Sequence, residues 1–548
     1  MAERQAGRQA GGLADRQTLI TGAINSALCW TDECKPMKIV KHILEHSLSG
    51  LQHPWWTQSA MNLMPTTPLE KEQVPGGAAG TGLGKSRKRV IPVPHTKAPE
   101  LDPIAEAYGY CNTPNRTEQA WEGHSPADYT LLSVQVMIRH GDRYPLYSIP
   151  KTKRPTIDCT LSPNRKPSHP QLSAFISHMA NGDRGHWEST LGSVPRLPNH
   201  SACEMGELTQ TGVVQHLRNG QLLLQAYKRH SLLPSGWSPR QLWVETTGKS
   251  RTLQSGLAFL FGFLPDFDWP KVTVRHQWST LFCGAACDCP ARNRYLEEEQ
   301  RRQYRLRVGD AQLESTYAEM ARALGLPNRQ LRAANPIDSL LCHLCHGLPF
   351  PCLQTAPGGG GAKACLTMEQ FSVIRRQQLD DEADKRQVGL YRKYAVLAMH
   401  PYLNRTAARM ERAARAKPGT AAAEVALALA AAHDVTVAPL LSALGLEEAR
   451  FPRFAARVVF ELWRSPPAAG GKPPAKGKGK GTPGGEAFVR LLYDGEDVTF
   501  HTAFCRGHKR HGARPLCPLK NFLSYVRRDM LALLNASSYQ EACYKRPG

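Results

Sequence analysis

The chain holds 548 residues, 41% of them hydrophobic and 21% charged, with 45 Gly and 41 Pro. That is long enough for roughly two to four domain-sized cores, and it excludes a wholly disordered or collagen-like chain, although so much Gly and Pro implies unstructured segments added to a folded body. With 69 Lys+Arg against 47 Asp+Glu the formal net charge is +22; an excess of that size suits a polyanionic partner, be it nucleic acid, an acidic membrane surface, or an acidic glycan or phosphate ester.

Residues 1–100 contain a Trp/Met patch (Trp55, Trp56, Met61, Met64) and then a Pro/Gly/Thr stretch, Pro75 to Pro94, broken by Lys85-Ser86-Arg87-Lys88-Arg89. This reads as a variable segment and linker ahead of a folded domain at 101–548. Leu131 to Ile138 is an apolar, β-branched run suited to a buried strand, and it stops abruptly at Arg139-His140-Gly141. Leu208 to Tyr227 has helical spacing, Leu242 to Thr246 is a second strand, and Ser250 to Phe263 is a helix. The interval of about 275–415 reads as mostly helical, an inserted cap. Val425 to Ala432 runs apolar into His433-Asp434, followed by a helix over Val437 to Leu446. Val458 to Trp463 and Val489 to Tyr493 are strands, the second turning at Asp494-Gly495. Residues 354–363 and 466–485, rich in Gly, Pro and Lys, read as disordered loop insertions. Alternating strands and helices predict a layered α/β/α fold with a mostly parallel sheet. In such sheets ligands bind beyond the carboxyl ends of the strands, and three predicted strands run out toward Arg139-His140, Arg251 and His433-Asp434.

Thirteen of the 15 cysteines lie after residue 100, together with four glycosylation sequons at Asn115, Asn199, Asn404 and Asn535. The combination favours disulfides and an oxidising secretory lumen. Zinc is the competing reading, on Cys342-His343-Leu344-Cys345-His346, but no second pair of ligands stands at finger spacing. The start of the chain reads Met-Ala-Glu-Arg-Gln-Ala-Gly-Arg and offers neither an apolar leader nor an anchor.

Arg139-His140-Gly141-Asp142-Arg143-Tyr144-Pro145 is the most specific segment. Two arginines flanking a histidine after a buried strand need an anion, because a buried guanidinium is costly unless paired. A phosphate dianion fits: Arg presents a planar fork to two oxygens, and a neutral imidazole can attack phosphorus. Gly141 would let the backbone approach that anion at a strand-to-helix turn, with the helix start adding amide donors. Asp434, beside an anion-binding His433, is placed to protonate a leaving alkoxide. With arginines neutralising the equatorial oxygens, no metal or other cofactor is required.

These segments resemble the histidine acid phosphatases, whose signature is Arg-His-Gly-x-Arg-x-Pro near the start of the domain and His-Asp near its end. The resemblance runs from about residue 105 to 545 and includes Leu208-Thr209-Gln210-Thr211-Gly212. It implies that His140 is the nucleophile, that Arg139, Arg143, Arg251 and His433 bind the phosphoryl group, and that Asp434 is the proton donor. The mutase branch of the superfamily lacks the Arg-x-Pro continuation and uses a glutamate, so Arg143, Pro145 and Asp434 point to hydrolysis. Longer stretches, such as Ile149 to Pro155, Cys203 to Gly212 and Glu448 to Arg457, resemble the family branch acting on phosphorylated xylose in the proteoglycan linkage region. That implies a Golgi setting, a membrane anchor not seen in this N-terminus, and a linkage-region glucuronosyltransferase as a partner.

The sequence leaves two rivals. One is an inositol phosphate or other phosphate ester hydrolysed by the same residues, with Lys151, Lys153, Arg154 and Lys249 as rim cations. The other is a non-catalytic polyanion-binding protein, although the Lys/Gly-rich stretch lacks the aromatic residues and modules of nucleic-acid binders. Residues 1–100 carry 12 Lys+Arg and 8 Asp+Glu, a net +4, and Lys472, Lys476, Lys478 and Lys480 add +4. The remainder, 22 − 4 − 4 = +14, belongs to the rest of the domain.

Overall fold

The computed structural model describes residues 102–113, 121–181, 189–264, 266–353, 364–416, 424–467, 485–508 and 515–545. The N-terminal segment 1–100, the insertion 354–363 and all but the ends of 466–485 lie outside them, as does Asn115. The strands are β1 (Thr130–Arg139), β2 (Leu242–Thr247), β3 (Val274–Gln277), β4 (Leu427–Ala432), β5 (Arg457–Arg464), β6 (Ala487–Tyr493), β7 (Glu496–Asp497) and β8 (Cys517–Pro518). They form one sheet in the order β3-β2-β4-β1-β5-β6-β7, with β8 also on β6. The block β3-β2-β4-β1 is parallel. β5 runs against both β1 and β6, so β6 again shares the direction of β1.

Both faces of the parallel block are covered, which is why its strands read as continuous apolar runs. Side chains alternate between the faces. Val134, Val136 and Ile138 of β1, with Leu427 and Leu429 of β4, join one core; Met137, Ala430 and Ala432 join the other. The α-helices as far as Ala443 are α1 (Pro103–Cys111), α2 (Leu172–Asn181), α3 (Gln210–Tyr227), α4 (Ser250–Phe263), α5 (Pro290–Arg307), α6 (Ala311–Ala323), α7 (Asn328–Ala333), α8 (Pro336–Cys345), α9 (Met368–Gln387), α10 (Gly389–Arg415) and α11 (Asp434–Ala443). α2, α3 and α4 share the first core, and α10 and α11 share the second. A third core is built from α6 to α9 with Tyr110, Ile149 and Phe454.

Two local expectations need correction. The helix after His433 begins at Asp434 and ends at Ala443: the β-branched Val435 and Thr436 are poor helix formers alone, yet the chain turns into the helix directly from β4. No helix follows Gly141 either. Residues 141–149 are irregular, and Arg143 pairs with Leu208 as a single bridge. The Gly141 amide donates to Ser255 Oγ at 3.1 Å and the Asp142 amide to Gln215 Oε1 at 2.8 Å, so both tether the loop to the helices beneath it. Gly141 is required because a Cβ there would lie 2.5 Å from the Gly212 backbone, at the start of α3. It buys close packing against α3 rather than approach to an anion.

Among the described residues six disulfides form: Cys111–Cys345, Cys159–Cys203, Cys283–Cys287, Cys289–Cys543, Cys352–Cys365 and Cys505–Cys517. Cys342 remains a buried thiol, its pKa pushed well up by burial and then by Asp142 and Asp338, which makes it inert as a thiolate. The zinc reading therefore fails. Cys345 is oxidised, His346 Nε2 bonds Asp142 Oδ2 at 2.8 Å and His343 Nδ1 bonds the Pro349 carbonyl at 2.6 Å. Asn199, Asn404 and Asn535 are all exposed, as glycan acceptors must be. No helix of the described residues is long and apolar enough to cross a membrane.

Candidate active site

Three neighbouring strands, β2, β4 and β1, end side by side. His140 follows β1 and its amide donates to the Ala432 carbonyl at 2.9 Å, which sets it level with His433 at the end of β4. The two imidazole centroids are 5.4 Å apart. α4 and α11 start within three residues of β2 and β4, so their positive N-terminal ends face this edge, and they bring Arg251 and Asp434 with them.

His140 is 2% exposed. Its Nδ1 lies 2.8 Å from the Gly141 carbonyl; a carbonyl only accepts, so Nδ1 carries the proton and Nε2 is left with a free lone pair. Burial, then Arg251, Arg139, His433 and Arg143, drive its pKa well below the ordinary imidazole value. The lowered pKa favours the neutral ring. His433 is depressed by the same burial and by Arg251, and its Nε2 shares a 3.0 Å hydrogen bond with Thr247 Oγ1.

The arginines are held differently. Arg139 is fully buried: it donates to the Pro452 carbonyl at 2.7 Å, to Tyr110 Oη at 2.7 Å and to Asp434 Oδ2 at 3.0 Å, and its guanidinium lies 4.6 Å from the Phe454 ring centroid. Arg143 forks onto Asp338 of α8 at 2.8 and 3.4 Å. Arg251 forms no ion pair among the described residues, and its Nε is buried without a hydrogen-bond partner. Burial and the nearby Arg143 bring its pKa down to about 10, the signature of a cation in a pocket short of negative charge. A bound dianion would supply it. Asp434, whose side chain is 27% exposed, is held low by Arg139, Arg143 and His433 against the opposing effect of burial.

None of the four rim cations hydrogen-bonds or pairs with the residues of this cluster among the described residues. Lys151 donates to the Gly325 carbonyl. Lys153 and Arg154 are exposed on the same segment, with Arg154 close enough to Tyr144 to act on its ionisation. Lys249 is exposed at the start of α4, two residues from Arg251.

Sequence reasoning missed four contributors. Asp338 and Tyr110 sit on helices whose local pattern announces only amphipathicity, and Phe454 sits in a loop. The fourth, Asp142, is inside the signature. It accepts from Thr209 Oγ1 at 2.5 Å and pairs with His346, binding the loop after β1 to α3 and to the end of α8. The Cys111–Cys345 disulfide fastens that same C-terminal end of α8 to α1, while Asp338 in the first turn holds Arg143 at the other end.

Replacing Arg251 with Met is expected to raise KM for phosphate monoesters by on the order of 10- to 100-fold, as for loss of a charge-assisted contact. It should also move the acid limb of kcat/KM upward in pH. The sign follows from His140: with one depressing charge gone its pKa rises, so the ring is protonated and inactive at a higher pH than in the wild type. Rates over about pH 4 to 7, corrected for substrate ionisation, measure this; an unmoved limb would contradict it.

A sequence model described as the histidine phosphatase superfamily, branch 2, matches residues 130–494. The chain is 63% identical over 489 residues to 2-phosphoxylose phosphatase 1 of Danio rerio, covering 88% of this chain and 94% of that protein. It is 56% identical over 491 residues to the protein of the same name from Xenopus tropicalis, covering 89% and 92%. For that of Homo sapiens the figures are 55% over 466 residues, covering 84% and 91%. The strand-end histidine with its three arginines thus stands in a sequence matched through its signature, its middle arginine and its His-Asp pair, and the chain belongs to branch 2 of the histidine phosphatase superfamily as a phosphatase.

Proposed function

We propose that this phosphatase removes the 2-phosphate from xylose in the linkage region between a glycosaminoglycan and its core protein, and so promotes glycosaminoglycan chain synthesis. In this reading His140 Nε2 attacks phosphorus and the P–O bond to the sugar breaks as Asp434 gives its proton to the leaving oxygen. Water then takes the phosphoryl group from His140, with Asp434 accepting the water's proton. Arg139, Arg143, Arg251 and His433 hold the phosphoryl oxygens. The observation that carries the chemistry is the neutral, lone-pair-bearing His140 inside a buried guanidinium cluster with an unmet need for anion. The sugar is carried over from 2-phosphoxylose phosphatase 1 of Danio rerio. The six disulfides among the described residues and the exposed sequons suit the lumen of the secretory pathway, and the proposal places the enzyme in the Golgi beside a linkage-region glucuronosyltransferase.

The test compares kcat/KM of the purified full chain on a 2-phosphoxylosylated linkage oligosaccharide, inositol hexakisphosphate and p-nitrophenyl phosphate. The linkage oligosaccharide should lead by at least about tenfold. Preference for the inositol phosphate would overturn the substrate, and no hydrolysis of any of the three would overturn the chemistry.

A further inference from the structure

Trp278 is 81% exposed, the most exposed large hydrophobic side chain among the described residues. It stands one residue past β3, on the same sheet edge as the active site. Gln277 is in register with Thr247, so Trp278 is level with the segment leading to Lys249 and Arg251. The order β3-β2-β4-β1 puts it three strand spacings, about 14 Å, from His140.

The side chain has one ring neighbour, and its loop is tethered by hydrogen bonds. The His276 ring meets the indole edge-on at 4.5 Å between centroids, and His276 itself lies against Gly248, where a Cβ would come within 2.5 Å of Nε2. Downstream, Thr436 Oγ1 of α11 donates to the Thr280 carbonyl at 2.6 Å, tying the loop to the helix that carries Asp434. The Leu281 amide bonds Ser279 Oγ, and Arg405 bonds the carbonyl of the buried Phe282. Val435, 48% exposed and next to Asp434, lies one residue from that Thr436 tether. A flat, amphipathic ring thus stands in solvent on the sheet edge that carries the site, on a loop tethered just downstream, and Lys249 is exposed at the neighbouring strand end.

We infer that Trp278 is a stacking platform for sugar units of the substrate beyond the phosphorylated one. This rests on the glycan substrate proposed above. Sugar rings present an apolar C–H face that packs on an indole, while their hydroxyls stay in water. A rigid aromatic spends little conformational entropy on such a contact. Its distance from His140 exceeds the reach of a monosaccharide phosphate and suits a chain leaving the phosphate site across β4 and β2. The platform therefore selects for chain length, whereas the arginines select for phosphate.

The test uses Trp278→Ala and Trp278→Phe in the full chain, with three substrates: 2-phosphoxylose as a simple glycoside, the 2-phosphoxylosylated linkage oligosaccharide, and p-nitrophenyl phosphate. Trp278→Ala should raise KM for the oligosaccharide about tenfold with kcat preserved, and leave both small substrates unchanged. Trp278→Phe should recover part of the loss. An unchanged oligosaccharide KM, or equal losses on all three substrates, would overturn the platform alone. A wild-type enzyme that hydrolyses p-nitrophenyl phosphate but neither xylose phosphate would overturn the substrate reading, and the platform's occupant with it.

Discussion

His140→Ala is expected to lower kcat on every phosphate ester by a factor on the order of 10⁴ or more, the scale seen when a covalent nucleophile is removed. The expectation follows from the geometry of one ring. Nδ1 is committed to the Gly141 carbonyl, so the reactive lone pair is fixed on Nε2 and cannot be supplied by a rotated tautomer. His433 cannot substitute, because its Nε2 is engaged by Thr247 and it occupies the end of a different strand. The fold should survive, since the strand-end hydrogen bond from the residue 140 amide to Ala432 is a backbone one and the lost side chain is a neutral ring among cations. Phosphate should still stabilise the variant thermally, because the arginines remain. Retained turnover in the folded variant would remove His140 from the reaction.

Asp434→Asn should cost on the order of 10²- to 10⁴-fold in kcat with alkyl and sugar phosphates, the usual worth of a positioned general acid, and less than about tenfold with p-nitrophenyl phosphate, whose leaving group needs no proton. The electrostatics give the timing of that proton. In the free enzyme Arg139 and Arg143 keep Asp434 ionised. A phosphoryl group bound by the same arginines cancels part of that field, so the carboxyl is protonated most readily with substrate in place. Arg139 keeps the Tyr110 hydroxyl and the Pro452 carbonyl after the substitution, which limits the damage to the pocket. Equal losses on both substrate types would show that Asp434 positions Arg139 rather than donating a proton.

The ends of β1 and β4 are legible in the sequence because each apolar run, Leu131 to Ile138 and Val425 to Ala432, stops at a histidine beside one charged residue, and burial on both sheet faces forces such runs to be continuous. Parallel neighbours then bring those ends to one edge. The disulfide partners are not legible: Cys111 and Cys345 are 234 residues apart, and only the packing of α1 on α8 brings them together. Asp338 is hidden for the same reason. An acid in the first turn of a helix is ordinary at that position, and its bidentate grip on Arg143 exists only once the helices of the third core have closed over the signature loop. Gly141 is not legible either: a glycine after a histidine looks like room for a ligand, while the space is taken by the backbone of Gly212. Trp278 carries no local pattern at all; its position on the edge of the sheet gives it meaning.

The central claim is a covalent phosphohistidine, and trapping it is the most direct measurement. Enzyme mixed with excess phosphorylated substrate and quenched within milliseconds into alkali, where phosphohistidine persists, should yield a digest in which the peptide containing Arg139-His140-Gly141 carries one phosphoryl group on His140. His140→Ala should yield none. Phosphate on another residue, or a wild-type enzyme that turns over while no phosphopeptide accumulates and whose chiral phosphate product is inverted, would contradict the account.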